Sequence, residues 1–235
     1  NGFLGIFLSP FTLKLILPIG ISFYTFQTIS YSLDIYWKQL KPTKSFISFA
    51  AFVSFFPQLV AGPIERAKNL LPQISSKRTT SASNIINGLQ LIIWGLFKKV
   101  VIADSLGSHV DIIFNNYQNL NGGILFIGIV YFSFQLYCDF SGYSDIAIGT
   151  AKLFGFELMS NFRYPFFASN PIDFWNRWHI SLSSWVKDYL YSPLALFFLR
   201  KFKHQLMNYI PHFLTMVIIG FWHGANWTFI FFGLY

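Results

Sequence analysis

Residues 213–235 read FLTMVIIGFWHGANWTFIFFGLY, a run without a single Asp, Glu, Lys or Arg. A stretch of that length and polarity suffices to cross a bilayer core, which takes ~20 apolar residues. One ionisable group stands inside it, His223, within Gly220-Phe221-Trp222-His223-Gly224-Ala225-Asn226-Trp227. Read as a straight helix from Phe213, the segment places His223 ~15 Å deep at 1.5 Å per residue, close to the middle of a hydrocarbon core ~30 Å thick. An imidazole there is costly unless it faces a cavity or a partner, so it is a functional candidate. Gly220 and Gly224 strip bulk from around the ring. The same residues also suit helix packing, with the imidazole bonded to a carbonyl and the two glycines forming a small-residue seam.

The rest of the chain has the same character. Of 235 residues, 54% are hydrophobic and 11% charged, against about 25% charged in a soluble domain, and the mean hydropathy is +0.47. Those values exclude a soluble globular protein, a disordered chain and a nucleic-acid binder. They leave an all-α polytopic membrane protein. The net charge of +8 fits cationic loops on the cytoplasmic side of a membrane. A single cysteine, Cys138, excludes an internal disulfide and a cysteine-built metal site. The sequence begins at Asn1 without an initiator Met, shows no pattern of charged start, apolar run and small-residue site, and stops at Tyr235 inside an apolar run. The expectation is one membrane-embedded domain over 1–235, a fragment incomplete at both ends.

Apolar blocks and their punctuation predict a short segment to about Pro18 and a helix from about Ile19 to Tyr36. The block Phe46 to Ala61 is short for a span, basic on both flanks, and interrupted by Pro57 and Gly62-Pro63, which predicts a re-entrant or steeply broken helix. Ile85 to Ala103 reads as a span. Asp104 to Gly123, acidic and without Lys or Arg, reads as an outer loop. Ile124 to Tyr137 returns, and Asp139 to Lys187 reads as largely cytoplasmic. Tyr189 to Leu199 is too short to cross and reads as interfacial or re-entrant. Phe213 to Tyr235 is the last span.

Of the other histidines, His109, His204 and His212 read as solvated loop residues. His179 lies in a denser context, from Asn170-Pro171-Ile172-Asp173 through Trp175-Asn176-Arg177-Trp178-His179 to Ser183. Asn170 suits a helix N-cap, Pro171 the first helical position, and Asp173 the first-turn amides. Asp173 and Arg177 stand at i,i+4 and can pair. On a continuous helix Trp175, His179 and Ser183 share a face, which makes either an interfacial anchor or an acid/base site. A neutral imidazole can take a proton from a hydroxyl, so two such histidines suggest acid/base work. No G-x-S-x-G elbow is present, Cys138 reads as core, and no His/Asp/Glu group has metal-ligand spacing.

The motifs, taken in order, resemble the membrane-bound O-acyltransferase (MBOAT) family, in its bacterial branch of alginate O-acetylation and teichoic acid D-alanyl transfer proteins. They are Pro18-Ile19-Gly20-Ile21-Ser22-Phe23-Tyr24-Thr25-Phe26-Gln27, Phe55-Phe56-Pro57-Gln58-Leu59-Val60-Ala61-Gly62-Pro63-Ile64, Gly95-Leu96-Phe97-Lys98-Lys99, Tyr137 to Asp145, Asp173 to Ser183, and Phe221-Trp222-His223-Gly224-Ala225. The resemblance implies a ring of transmembrane and re-entrant helices around a tunnel, with His223 matching the catalytic histidine and His179 a second motif histidine. It implies acyl transfer to a hydroxyl, with a donor from the cytoplasmic side and an exported glycan as acceptor. Asp139, Asp145 and Arg177 read as scaffold. After Tyr189 to Leu194 this chain departs from the family's usual glycine pair and basic loop, reading Ala195-Leu196-Phe197-Phe198 before Arg200.

The resulting expectation is an inner-membrane O-acyltransferase that moves an acyl group, acetyl above all, to a polysaccharide hydroxyl. His223 is the general base and His179 orients or stabilises. No cofactor is expected to be bound, and the acyl donor, a thioester or carrier-linked group, enters as co-substrate. Expected partners are membrane lipid, the polysaccharide acceptor, and an acyl-carrier protein or a periplasmic acetyltransferase. The rival readings are D-alanyl transfer to teichoic acid, a proton-coupled transporter, and a structural subunit that holds a soluble acetyltransferase at the membrane.

Overall fold

A computed structural model describes residues 20–202, 207, 209–224 and 226–234 of the chain. The expected short segment before Pro18 and the expected loop residue His204 lie outside the described residues. Among those residues every regular element is helical. Helix α1 (Ile21–Tyr36) follows Gly20, whose φ of 79° lies in the left-handed region, where glycine carries no Cβ penalty. The block after Phe46 is broken as its prolines predict. Helix α2 (Phe46–Val53), capped by the Ser45 side chain, ends before Pro57, and α3 (Ala67–Ser75) begins after an irregular stretch.

The longest elements depart from the loop reading in one place. Helix α4 (Ala82–Leu96) runs through a π-helical turn (Phe97–Ala103) into α5 (Asp104–Asn115), giving 34 continuous helical residues. Asp104 to Asn115 is therefore helix, not an outer loop, and His109 sits on it with Nδ1 2.9 Å from the Ser105 carbonyl. The physical reason is the turn itself. Its wider winding brings Asp104 under Lys99, Nζ to Oδ1 2.7 Å, and the acid that suggested a loop serves as a helix-borne counter-ion. Helix α6 (Gly122–Leu153) is 32 residues long and extends the returning segment from Tyr137 on through Asp139 to Leu153. Both long runs are apolar enough to cross a membrane; at 1.5 Å per residue each exceeds a ~30 Å core.

These two runs pack antiparallel at backbone distance. A Cβ on Gly95 would lie 2.6 Å from the Gly142 carbonyl oxygen, and one on Gly142 would lie 2.8 Å from that of Gly95; Gly88 and Gly149 face each other in the same way. Small residues permit this approach, which gives van der Waals contact where lipid offers no hydrophobic drive. The same seam carries charge. Lys98, 7% exposed, donates to Asp145 Oδ2 at 2.7 Å and to Ser141 Oγ at 2.9 Å, while Lys99 also reaches Asp139 at 2.7 Å. Ionisable groups midway along membrane helices pair in this way because an unpaired charge there is expensive. Asp139 and Asp145 thus hold helices together.

Shorter helices complete the chain: α7 (Pro171–Trp175), α8 (Ile180–Val186), a π turn (Lys187–Tyr191), α9 (Ser192–Lys201), α10 (Ile210–His223) and α11 (Trp227–Leu234). His212 lies in α10 against Tyr191, ring centroids 4.4 Å apart, and is a helical residue, not a loop one. The expected single span from Phe213 is not continuous. Helix α10 stops at His223 and the chain doubles back, with Gly220 against the Phe229 carbonyl and Gly233, and Gly233 against Met216. Two glycines allow the arms to close. At 14 residues, α10 is ~21 Å long, short of a ~30 Å core.

Candidate functional site

The helical reading around His179 holds at its start and fails at its centre. Asn170 caps α7, its Oδ1 accepting from the Asp173 amide at 2.8 Å. Asp173 accepts from Arg177 Nε at 2.8 Å, and that guanidinium, with the Ser169 amide, holds the carboxyl below the usual carboxylate range. The helix then ends. His179 has φ 43° and ψ 54°, in the left-handed region, and forms the N-terminal boundary of α8. Trp175, His179 and Ser183 therefore do not share one helix face. The turn aims the His179 ring inward instead, to 7% exposure.

An aromatic box surrounds that ring. Phe140 of α6 meets it edge-on at 4.6 Å between centroids, and Phe162 lies nearly parallel at 6.4 Å. Trp178 packs against Phe162 at 5.2 Å. The Nε2 atom is buried and has no hydrogen-bond partner among the described residues. Burial pushes the imidazole down to about 3, and the nearby His223 ring deepens the depression. Near neutrality His179 is thus an uncharged ring with a free nitrogen.

His223 arrives from a different element. It is the last residue of α10, at the apex of the α10–α11 hairpin, exposed, and flanked by Trp222 at 4.6 Å and Phe232 at 5.5 Å between centroids. The depth expected from a straight helix is replaced by placement at a turn. Trp222 seats the apex. It packs edge-on against Phe26 of α1 at 5.1 Å, and Phe26 packs on Trp185 of α8 at 4.6 Å, whose indole N–H donates to the Phe26 carbonyl at 3.0 Å. Beside Trp222 a cavity of about 270 Å³ opens, lined by Ile21, Ser22, Thr25, Phe26, Ile29 and Trp222. The two histidines, distant in sequence, are linked through packing: Trp222, beside His223, rests on Phe26, and Phe26 rests on Trp185 of α8, the helix that begins at His179.

Residues that the sequence reading passed over support this arrangement. Arg66, 5% exposed, lies over the Tyr189 ring at 4.9 Å and 3.5 Å from Asp188; Tyr189 donates to Asp34 Oδ1 at 2.8 Å. Glu65, buried, accepts from the Met159 amide, and burial pushes its carboxyl up. Asn161, 1% exposed, bonds to both Ser144 and Ser181. A polar pair such as Glu65-Arg66 after Gly62-Pro63 was the available signal for the first two. Asn161 gave none, because its partners come from distant elements.

Known proteins are similar to this chain over almost its whole length. Probable alginate O-acetylase AlgI of Pseudomonas putida is 44% identical over 227 residues, 96% of this chain and 46% of that protein. The peptidoglycan O-acetyltransferase of Helicobacter pylori is 42% identical over 249 residues, 95% of this chain and 46% of that protein. The teichoic acid D-alanyltransferase of Bacillus subtilis is 29% identical over 229 residues, 94% of this chain and 58% of that protein. The chain spans about half the length of the curated relatives it matches. The sequence profile of one family, described as MBOAT, membrane-bound O-acyltransferase, matches residues 39–235. That match takes in the seam of long apolar helices and both histidines alike, and the chain belongs to the membrane-bound O-acyltransferase family.

Proposed function

We propose that this chain carries the acyl-transfer centre of an O-acetyltransferase that modifies hydroxyls of an exported polysaccharide at a bacterial inner membrane. The observation that carries the reading is that α8, which begins at His179, is joined through Trp185 and Phe26 to Trp222, the neighbour of His223. In this mechanism His223 takes the proton from the acceptor hydroxyl as the oxygen attacks the donor's carbonyl carbon. The carbon–sulfur bond of a thioester donor breaks, and the imidazolium returns its proton to the departing thiolate. His179, neutral and with Nε2 free, orients the donor carbonyl. The donor is a co-substrate, delivered as a thioester or by an acyl-carrier protein, and no resident cofactor takes part. Membrane lipid is a partner of the chain's long apolar helices, and a periplasmic acetyltransferase is a further partner class.

Acetyl is favoured over D-alanyl because the relatives named as O-acetylases are 42–44% identical and the D-alanyltransferase 29%. The test uses the full-length protein in its host, with the ester groups on the exported polymer identified by mass. His223→Ala, inserted at the wild-type level, is expected to lower acetyl content at least 100-fold, within the range for losing a general base. Wild-type acetylation by that variant overturns the reading, and an added D-alanyl mass reassigns the acyl group.

A further inference from the structure

The left-handed backbone at His179 is imposed from outside its own helix. The segment carrying Asn161 runs alongside the turn and fixes it on both sides: the Arg163 amide donates to the Arg177 carbonyl at 2.9 Å, and the Ile180 amide donates to the Asn161 carbonyl at 2.9 Å. The Asn161 side chain closes the clamp. Its Oδ1 accepts from the Ser181 amide at 3.2 Å and from Ser181 Oγ at 2.9 Å, and its Nδ2 donates to Ser144 Oγ at 3.0 Å. Ser144 is on α6, four residues from Phe140, so the same helix supplies the clamp's anchor and one wall of the His179 box. Phe162, next to Asn161, supplies another. A non-glycine residue persists in such a backbone conformation where its surroundings over-determine it.

We infer that Asn161 is a positioning residue for acyl transfer, which holds the backbone turn that aims the His179 ring into the site. The inference rests on the proposed function. Asn161 touches no reacting atom; it fixes Ser181 and Ile180 against α6, and the ring direction follows from the turn. Its amide does so with one acceptor taking two donors and one donor engaged, an arrangement that Ala cannot supply.

The test uses the full-length protein in its host membrane and compares Asn161→Ala, His179→Ala and the double variant. Acetyl ester per unit of inserted protein is measured alongside the carbethoxylation rate of individual histidines by diethyl pyrocarbonate. Asn161→Ala is expected to lower acetylation at least ten-fold and to add nothing in the His179→Ala background, because positions acting as one unit are non-additive. Its His179 ring, no longer held in the box, is expected to react at least five-fold faster while His109 and His212 react as in wild type. If Asn161→Ala fails to insert, Ser181→Ala, which removes one bond of the clamp, is expected to show the same pattern at smaller amplitude. Wild-type acetylation by Asn161→Ala, multiplied losses in the double variant, or faster reaction of all three histidines together overturns the inference. Full acetylation by His179→Ala is a separate result: it fails the assigned role of His179, and the positioning role with it.

Discussion

An imidazole removed from water resists protonation, and at His179 that resistance sets a pH dependence with a definite sign. The unfolded ring titrates near ~6.5, while the folded ring is pushed down to about 3 by burial and by His223. Between those values the unfolded chain binds the extra proton. The contribution to stability is therefore intact above the unfolded value and is lost as pH falls toward the folded one. From pH 7 to pH 5 the loss is about 2 kcal/mol. Thermal unfolding in detergent at the two pH values is expected to show it, and His179→Gln to remove most of it. Both histidines were legible in the sequence, since an ionisable residue amid tryptophans and phenylalanines is conspicuous. The left-handed turn at His179 was not, because the bonds that impose it come from Asn161, in a segment with no periodic pattern.

Between elements, the pairing of α4 and its π turn with α6 depends on two chemistries at once. Reciprocal glycines bring the backbones together, and the closeness obliges Lys98 to find Asp145. Removing one member of a buried pair leaves an uncompensated charge and costs roughly 3–5 kcal/mol, whereas replacing both by apolar groups is often near neutral. Lys98→Met alone is expected to lower the unfolding midpoint in detergent by more than the Lys98→Met, Asp145→Leu double variant does. Equal losses in the two variants contradict the pairing. Charge explains why this seam was only half legible. Long apolar runs announced the helices, and Asp139 and Asp145 read as scaffold, but Asp104 looked like the marker of a loop. Inside a membrane helix an acid is a partner for a base on the neighbouring run, and that partnership appears only once the register is known.

At the level of the whole molecule, the family and the membrane setting were readable from composition and ordered motifs, while the path of the last segment was not. A run of uncharged residues from Phe213 suits a straight span and a tight hairpin equally well. Gly220 and Gly233 decide between them by letting two backbones touch. Spin labels at residues 210 and 234 distinguish the two paths. A straight helix separates them by ~36 Å, and the hairpin is expected to give well under half of that in the reconstituted protein.

An apex is also the end of a lever. Helix α10 is ~21 Å from base to tip, so a ten-degree tilt of the hairpin carries its tip through roughly 4 Å, more than the length of a hydrogen bond. The contact of Trp222 with Phe26 is the peg against which that arm rests, so the reach of the His223 ring is governed by aromatic rings that themselves exchange no proton.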